Sequence, residues 1–267
     1  MGDLNGRTMV MSGGSRGIGL ETALAFARRG GNVALLAKTD QPHPQLPGTI
    51  HTAVDAIREA GGNAIGVLGD VRSEEDVARL VKTAVTEFGG IDIVVNNASA
   101  IHTAGTLDTS TKKFALMHEV NIRGTWLLTS TALPRLRESR GSIMTLSPPL
   151  NLAPHWLGVH PAYTTSKYGM TLLTLGWAAE FAADGISSYC LWPETLIDTA
   201  AVRNVVGGAD QARSPQIMAD AAMVVLDLPP EHKNGRAFID ADVLRASGVA
   251  DLGQYGGDAP DKDIFID

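Results

Sequence analysis

The 267 residues are 44% hydrophobic and carry a formal net charge of -7, enough apolar material for one substantial core and no basic excess of the kind nucleic-acid binding needs. A single cysteine, Cys190, excludes an intrachain disulfide and a cysteine-rich metal site and agrees with a reducing compartment. No apolar run reaches membrane-spanning length and MGDLNGRTMV has no basic-then-apolar leader pattern, so the expectation is a cytoplasmic protein without a membrane partner.

Apolar runs of strand length alternate with amphipathic stretches of helix length, the pattern of repeated strand-helix-strand units around a parallel sheet. Strands are expected near 8–12, 33–37, 64–68, 91–95, 142–147, 187–192 and 236–240, within one domain. After the first strand comes SGGSRGIG, residues 12–19, with Gly13, Gly17 and Gly19 spaced GxxxGxG. Between a strand and a helix, such glycines let the backbone approach a pyrophosphate, which the helix N-terminus then meets with unpaired amides. The helix LETALAFARR places Leu20, Ala23, Leu24 and Ala27 on one face and stops at Gly30–Gly31.

The second strand ends in Lys38, where dinucleotide-binding folds often place an acidic residue for the ribose. A cation there, with Arg16 and Ser15 in the glycine loop, would neutralise a 2′-phosphate and favour NADP(H) over NAD(H). Asp40 is the counterweight, since a rearranged loop would bring its carboxylate to the ribose and keep NAD(H) open. The stretch TDQPHPQLPG that follows has three prolines and is expected to be a loop, as is PPLNLAPHWLGVHP with four. Ser73, ahead of Glu74, Glu75 and Asp76, marks a helix start. Asp70, at the end of the third strand, and Asn96–Asn97, at the end of the fourth, put polar groups on the sheet edge where ligands of open parallel sheets bind.

In PAYTTSKYGM, Tyr163 and Lys167 are four residues apart and share a helical face. A nearby ammonium favours a phenolate and brings proton exchange closer to neutral pH. Ser147, ending the fifth strand, would present a hydroxyl to a carbonyl oxygen at the same edge. His155 and His160 lack the acidic or cysteine partners of a metal site, and none is expected.

Taken in order, SGGSRGIG, NNAS, Ser147 and YTTSK resemble the short-chain dehydrogenase/reductase family along nearly the whole chain. The resemblance implies a Rossmann-type, doubly wound seven-stranded sheet in the order 3-2-1-4-5-6-7. It implies Tyr163 as general acid or base, Lys167 lowering its pKa and binding the nicotinamide ribose, Ser147 orienting the carbonyl, and Asn121 holding a proton-relay water on the long fifth helix. It puts Gly13, Ser15, Arg16, Gly17, Ile18, Gly19, Lys38, Asp70, Val71, Asn97, Pro193 and Thr195 at the cofactor, with Thr199 competing for the role of Thr195. It also implies a homo-oligomer, dimer or tetramer, assembled through helices near 110–137 and 162–183.

Within that family, AKTDQPHPQLPGTI, NNASAI, LDTSTKKF and LSPPLNLAPHW are similar to a group whose animal members append a sterol-carrier-type lipid-binding domain; residues 1–267 are expected to hold the dehydrogenase domain alone. Four departures stand out. Ser12 replaces a usual threonine, Ser99 replaces the glycine of NNAG, and Glu194 replaces the glycine of a Pro-Gly pair. Ser147 also lies farther from Tyr163 than is usual, and Pro148–Pro149 would displace it. The region 199–215 corresponds to the mobile substrate-binding segment, and Leu150, Leu152, His155, Trp156, Leu157 and His160 offer either a substrate wall or a self-packed loop. The expected function is an NADP(H)-dependent oxidoreductase interconverting a carbonyl and a secondary alcohol on an apolar or lipid-like small molecule. The alternative is a cofactor-binding interaction or regulatory protein with little turnover.

Overall fold

The computed structural model describes residues 2–42, 48–257 and 260–267, so residues 43–47 of the first proline-rich stretch lie outside the described residues. Seven strands form one sheet: β1 (Thr8–Ser12), β2 (Asn32–Ala37), β3 (Asn63–Leu68), β4 (Ile93–Asn96), β5 (Ser142–Thr145), β6 (Ser187–Trp192) and β7 (Ala237–Ile239). Every pairing is parallel and the order is β3-β2-β1-β4-β5-β6-β7, as the family resemblance implies.

Among the described residues, ten α-helices cover the sheet: α1 (Gly17–Ala27), α2 (Ile50–Glu59), α3 (Glu74–Phe88), α4 (Thr111–Met117), α5 (Gly124–Ser139), α6 (Pro154–Val159), α7 (Pro161–Glu180), α8 (Gln216–Asp227), α9 (Pro230–Lys233) and α10 (Asp240–Ala246). None of them is long and apolar enough to cross a membrane.

Strand alternation divides the interior into two cores. Met9, Met11, Val33, Leu35, Ile93 and Val95 face Phe26 of α1, Met218 of α8 and Leu244 of α10. Their neighbours Val10, Ala34, Leu36, Val94 and Ile143 face Leu80 of α3, Leu128 of α5 and Trp177 of α7. Both faces of each central strand are therefore dry, which is why these strands read as unbroken apolar runs. Helix α1 is wedged between the sheet and α8, and Ala25 and Phe26 are buried along with the expected Ala23 and Ala27, while Leu20 and Leu24 are only partly covered.

Two expectations change. The second proline-rich stretch is not all loop, because 154–159 forms the short helix α6. Pro154 stands in its first turn, and Pro161 in that of α7, where the missing N–H would have had no helical partner anyway. The long fifth helix is also interrupted: His118–Arg123 is a π-helical turn between α4 and α5.

The Ser73 start holds: its side chain accepts from the Asp76 backbone N–H at 3.2 Å, and three acidic residues fill the first turn of α3. Ser73→Ala is expected to lower stability by about 1 kcal/mol. Urea titration checks this as a lower midpoint with an unchanged slope.

Candidate active site

The site is assembled where the winding of the sheet reverses, between β1 and β4. Gly13 has φ +77°, and a Cβ there would come within 2.9 Å of both the Ala98 backbone and the Asn97 side chain. At Gly19 a Cβ would lie 2.5 Å from Asn97 Nδ2. Asn97 takes that room itself, donating to the carbonyls of Ser12 at 3.1 Å and Gly13 at 2.8 Å, while Ser12 Oγ accepts from the Ala98 N–H. The Asn97 amide thus fastens the glycine loop to β4. Ser12 keeps the hydroxyl this bond needs. Among the described residues no side chain caps α1, whose N-terminal amides follow Gly17; within the loop Ser15 is buried and Ile18 half-buried.

Beside the loop, the Arg16 guanidinium donates to Thr39 Oγ1 at 2.7 Å and to the Gly48 carbonyl at 3.1 Å, which lays it along the exit of β2. Lys38, 63% exposed, pairs with Asp70 at 3.0 Å. Asp70 also receives a two-pronged Arg72 guanidinium; Arg72 first, and Lys38 after it, hold the carboxyl well below the usual range. Asp40 is engaged away from this cluster, pairing with His51 on α2 at 2.6 Å and accepting from Gln41. Val71 packs against Gly124, where a Cβ would meet it at 2.8 Å.

The π-helical turn presents Asn121 with no exposure. Its Oδ1 accepts from the Ala100 N–H at 2.7 Å, and its Nδ2 donates to the Ala100 carbonyl and to Ser166 Oγ at 2.9 Å. Ser166 in turn donates to the Tyr163 carbonyl at 2.8 Å, so Asn121 is joined to α7 one turn from Tyr163. Lys167, 2% exposed, donates to the Leu146 carbonyl at 2.6 Å, and its Nζ lies 4.8 Å above the Trp192 ring. Burial brings its ammonium down to about 7. Tyr163 is 4% exposed and its hydroxyl has no hydrogen-bond partner among the described residues. Burial, then the charge of Asp263, pushes its phenol above its ordinary value, so the lowering expected from Lys167 does not prevail here.

Ser147 is fully buried. Its hydroxyl donates to Cys190 Sγ at 3.3 Å and accepts from Thr171 at 3.0 Å, so it faces β6 and α7. The single Thr171 hydroxyl proton is shared with the Pro148 carbonyl at 2.7 Å, and the two prolines carry the chain out of the sheet beyond it.

Past β6, Pro193 is buried and Thr195, 3% exposed, keeps a hydroxyl without a partner among the described residues. The Thr199 hydroxyl instead accepts from the Val202 N–H, and its methyl sits by Gly17. Glu194 gathers three cations, Arg213 at 3.4 Å and Arg245 and Lys262 at 3.2 Å; despite partial burial, Arg245 and Lys262 hold its carboxyl below its ordinary value. Sequence reasoning missed Trp192, Asp240, Asp263 and Phe265 because no motif spacing links them. Burial raises Asp240 to about 6 and Asp263 to about 7.

A seven-stranded doubly wound sheet with this glycine loop and this α7 face defines a class, and a family model described as short chain dehydrogenase matches residues 7–208. The chain belongs to the short-chain dehydrogenase family, whose members bind NAD(P)(H). Among individual relatives it is similar to hydroxysteroid dehydrogenase-like protein 2 of Danio rerio, 46% identical over 273 aligned positions that take in all of this chain and 65% of that protein. A solved Xanthomonas campestris protein is 45% identical with a TM-score of 0.95, over 99% of each chain. A short chain dehydrogenase from Mycobacterium thermoresistibile is 44% identical with a TM-score of 0.93, over 99% of this chain and 96% of that one.

The buried Asp263 gives stability a pH dependence. Its folded pKa is raised to about 7 from an ordinary 3.8, so between these values the folded protein keeps a proton that the unfolded chain has lost. This group's contribution therefore falls as pH rises through that window. Asp263→Asn is expected to raise the melting temperature above pH 7, with the gain shrinking toward about pH 5. Thermal scans across pH check it.

Proposed function

We propose that the protein is an NADP(H)-dependent oxidoreductase that interconverts a carbonyl and a secondary alcohol. One observation carries the reading: Asn121, Tyr163 and Lys167 meet at the crevice end of the sheet, the first two joined through Ser166. The residues fit a dinucleotide. A glycine loop that Asn97 fastens at Gly13 and Gly19, an α1 N-terminus that no side chain caps among the described residues and the buried hydroxyl of Thr195, unpaired among them, suit a pyrophosphate at one end and a carboxamide at the other. The cofactor supplies or accepts the hydride when bound.

Tyr163 Oη gives the carbonyl oxygen its proton, or takes it back in the reverse direction. Lys167 binds the ribose next to the nicotinamide, and its charge opposes the effect of burial on the phenol. Asn121 holds the water that refills the proton. Ser147 would orient a carbonyl only by turning out from between Cys190 and Thr171; in its present place it sets α7 against β5. Gly17, Ile18, Asn97, Val71 and Pro193 shape the cofactor cleft, and Asp70, already paired with two cations, holds Lys38 at its edge.

Lys38 and Arg16 favour the 2′-phosphate, and the engagement of Asp40 with His51 supports this over a ribose-reading carboxylate. The apolar side chains of 148–160, of which Leu152 is 68% exposed, suit an apolar or lipid-like substrate. Trp126 on α5 and Leu172 on α7, 51% and 59% exposed, suit a homo-oligomer contact. A cofactor-sensing protein with little turnover is the second reading, and the covering of Tyr163 speaks for it.

Fluorescence titration with NADPH and NADH, paired with a carbonyl panel, tests the first reading. NADPH is expected to bind about tenfold more tightly or better, with Lys38→Ala weakening NADPH by about tenfold and NADH by less than about twofold. Equal affinities, unaffected by Lys38→Ala, would remove the 2′-phosphate assignment.

A further inference from the structure

Residues 260–267 leave the surface and cross the site. Their near end is stitched to the β6 exit: Thr195 and Lys262 form an antiparallel bridge, Leu196 N–H donates to the Asp261 carbonyl at 2.9 Å, and Asp263 N–H donates to the Glu194 carbonyl at 3.1 Å. The Lys262 ammonium joins the cluster on Glu194. Beyond Asp263 the chain passes over the catalytic tyrosine. Phe265 is 1% exposed and stacks on Tyr163, their ring centroids 6.2 Å apart and their planes at 21°. Tyr168, Trp156 and Trp192 complete a ring cage around Phe265 at 5.1, 5.9 and 6.2 Å.

Phe265 has φ +78°, a left-handed conformation that a bulky side chain adopts only where its surroundings impose it. The Trp192 indole donates to the Ile264 carbonyl at 3.0 Å and Asn151 Nδ2 to the Phe265 carbonyl at 3.3 Å. The far end is held differently. The Asp267 carboxylate receives Asn151 Nδ2, His155 Nε2 and Trp156 Nε1 at 2.9 to 3.0 Å, but Asp267 is 64% and His155 59% exposed. Water and salt compete for those bonds, so the far end releases more readily than the near end, which backbone pairing with Glu194, Thr195 and Leu196 holds.

A carbonyl must reach hydrogen-bond distance of the Tyr163 hydroxyl to receive its proton. We propose that residues 261–267 are a strap, rooted at Glu194 and Lys262, that covers Tyr163, and that Phe265 is the side chain a substrate displaces. The space Phe265 vacates lies among Trp156, Tyr168 and Trp192, which selects carbonyls carrying a flat or branched apolar group. Asn151 stands on the loop before α6 and His155 and Trp156 on α6 itself, so that this segment and the strap open as one device. The selectivity rests on Tyr163 being the proton donor; the covering does not.

Nitration by tetranitromethane, mapped by mass spectrometry, reads the covering without any turnover. In Phe265→Ala, Tyr163 is expected to react about tenfold faster, while Tyr189, fully buried in the other core, stays protected and reports an intact fold. An unchanged Tyr163 rate with Tyr189 still protected overturns the strap. Where Phe265→Ala exposes Tyr189 as well, Asp267→Ala decides instead, since it frees only the exposed latch: about threefold faster nitration of Tyr163 supports the strap and no change overturns it. Turnover then reads selectivity. Phe265→Ala is expected to lower KM for a small aliphatic aldehyde by a few-fold, since Tyr163 is uncovered, and for an aryl ketone by about tenfold more, since the vacated space takes its ring; equal changes for both overturn the selectivity assigned to Phe265. If the native protein reduces no carbonyl, the proton-donor reading fails, while the nitration rates still judge the strap.

Discussion

Between β1 and β4 the winding of the sheet changes direction, and the helices that leave those strands diverge to opposite faces, opening a crevice at the strand ends. Everything chemical in the molecule is placed relative to that crevice. The glycine loop leaves β1 on one side and Asn97 leaves β4 on the other, and the two Asn97 hydrogen bonds to the loop fix their spacing across more than eighty residues of chain. Gly13 and Gly19 are required there because their missing side chains are the space in which Asn97 sits. From the same edge, β5 delivers the carbonyl of Leu146 to Lys167, and β6 delivers Trp192 beneath the ammonium.

Charges are distributed unevenly around this crevice, and the difference bears on their roles. Along the exits of β2 and β3 they are solvated and paired: Lys38, Asp70, Arg72 and Arg16 can change partners at low cost, as the proposed 2′-phosphate contact requires. Near Tyr163 they are buried, and Lys167, Asp240 and Asp263 have their proton affinities moved toward neutrality by the loss of water. Groups in that condition exchange protons near working pH, which suits acid-base chemistry. With Phe265 in place, Tyr163 is the exception, since burial and Asp263 both oppose its ionisation. In the proposed mechanism, chemistry at this tyrosine therefore calls for the strap to move.

Much of this was legible in the residues. Buried parallel strands must be apolar on both faces, so the runs of the five inner strands announced the sheet, and Ser73 with its acidic followers announced α3. Tyr163 and Lys167 were legible because four residues make one helical turn. The inward turn of Ser147 was within reach as well: strand alternation puts it on the side of Ile143 and Thr145, which face α5 and α7. The helix α6 was hidden by its prolines, which sit in first turns where they do no harm. Phe265 was not legible at all, because its partners lie about a hundred residues away and no local pattern specifies a contact of that separation.

Tyr163 carries the central claim, and comparing turnover of Tyr163→Phe with that of Ser147→Ala in the same cofactor-saturated assay tests it most directly. The account predicts that Tyr163→Phe loses about a hundredfold or more in kcat with cofactor affinity kept, while Ser147→Ala stays within about fivefold because its hydroxyl is held by Cys190 and Thr171. Full turnover by Tyr163→Phe, or a hundredfold loss confined to Ser147→Ala, would contradict it.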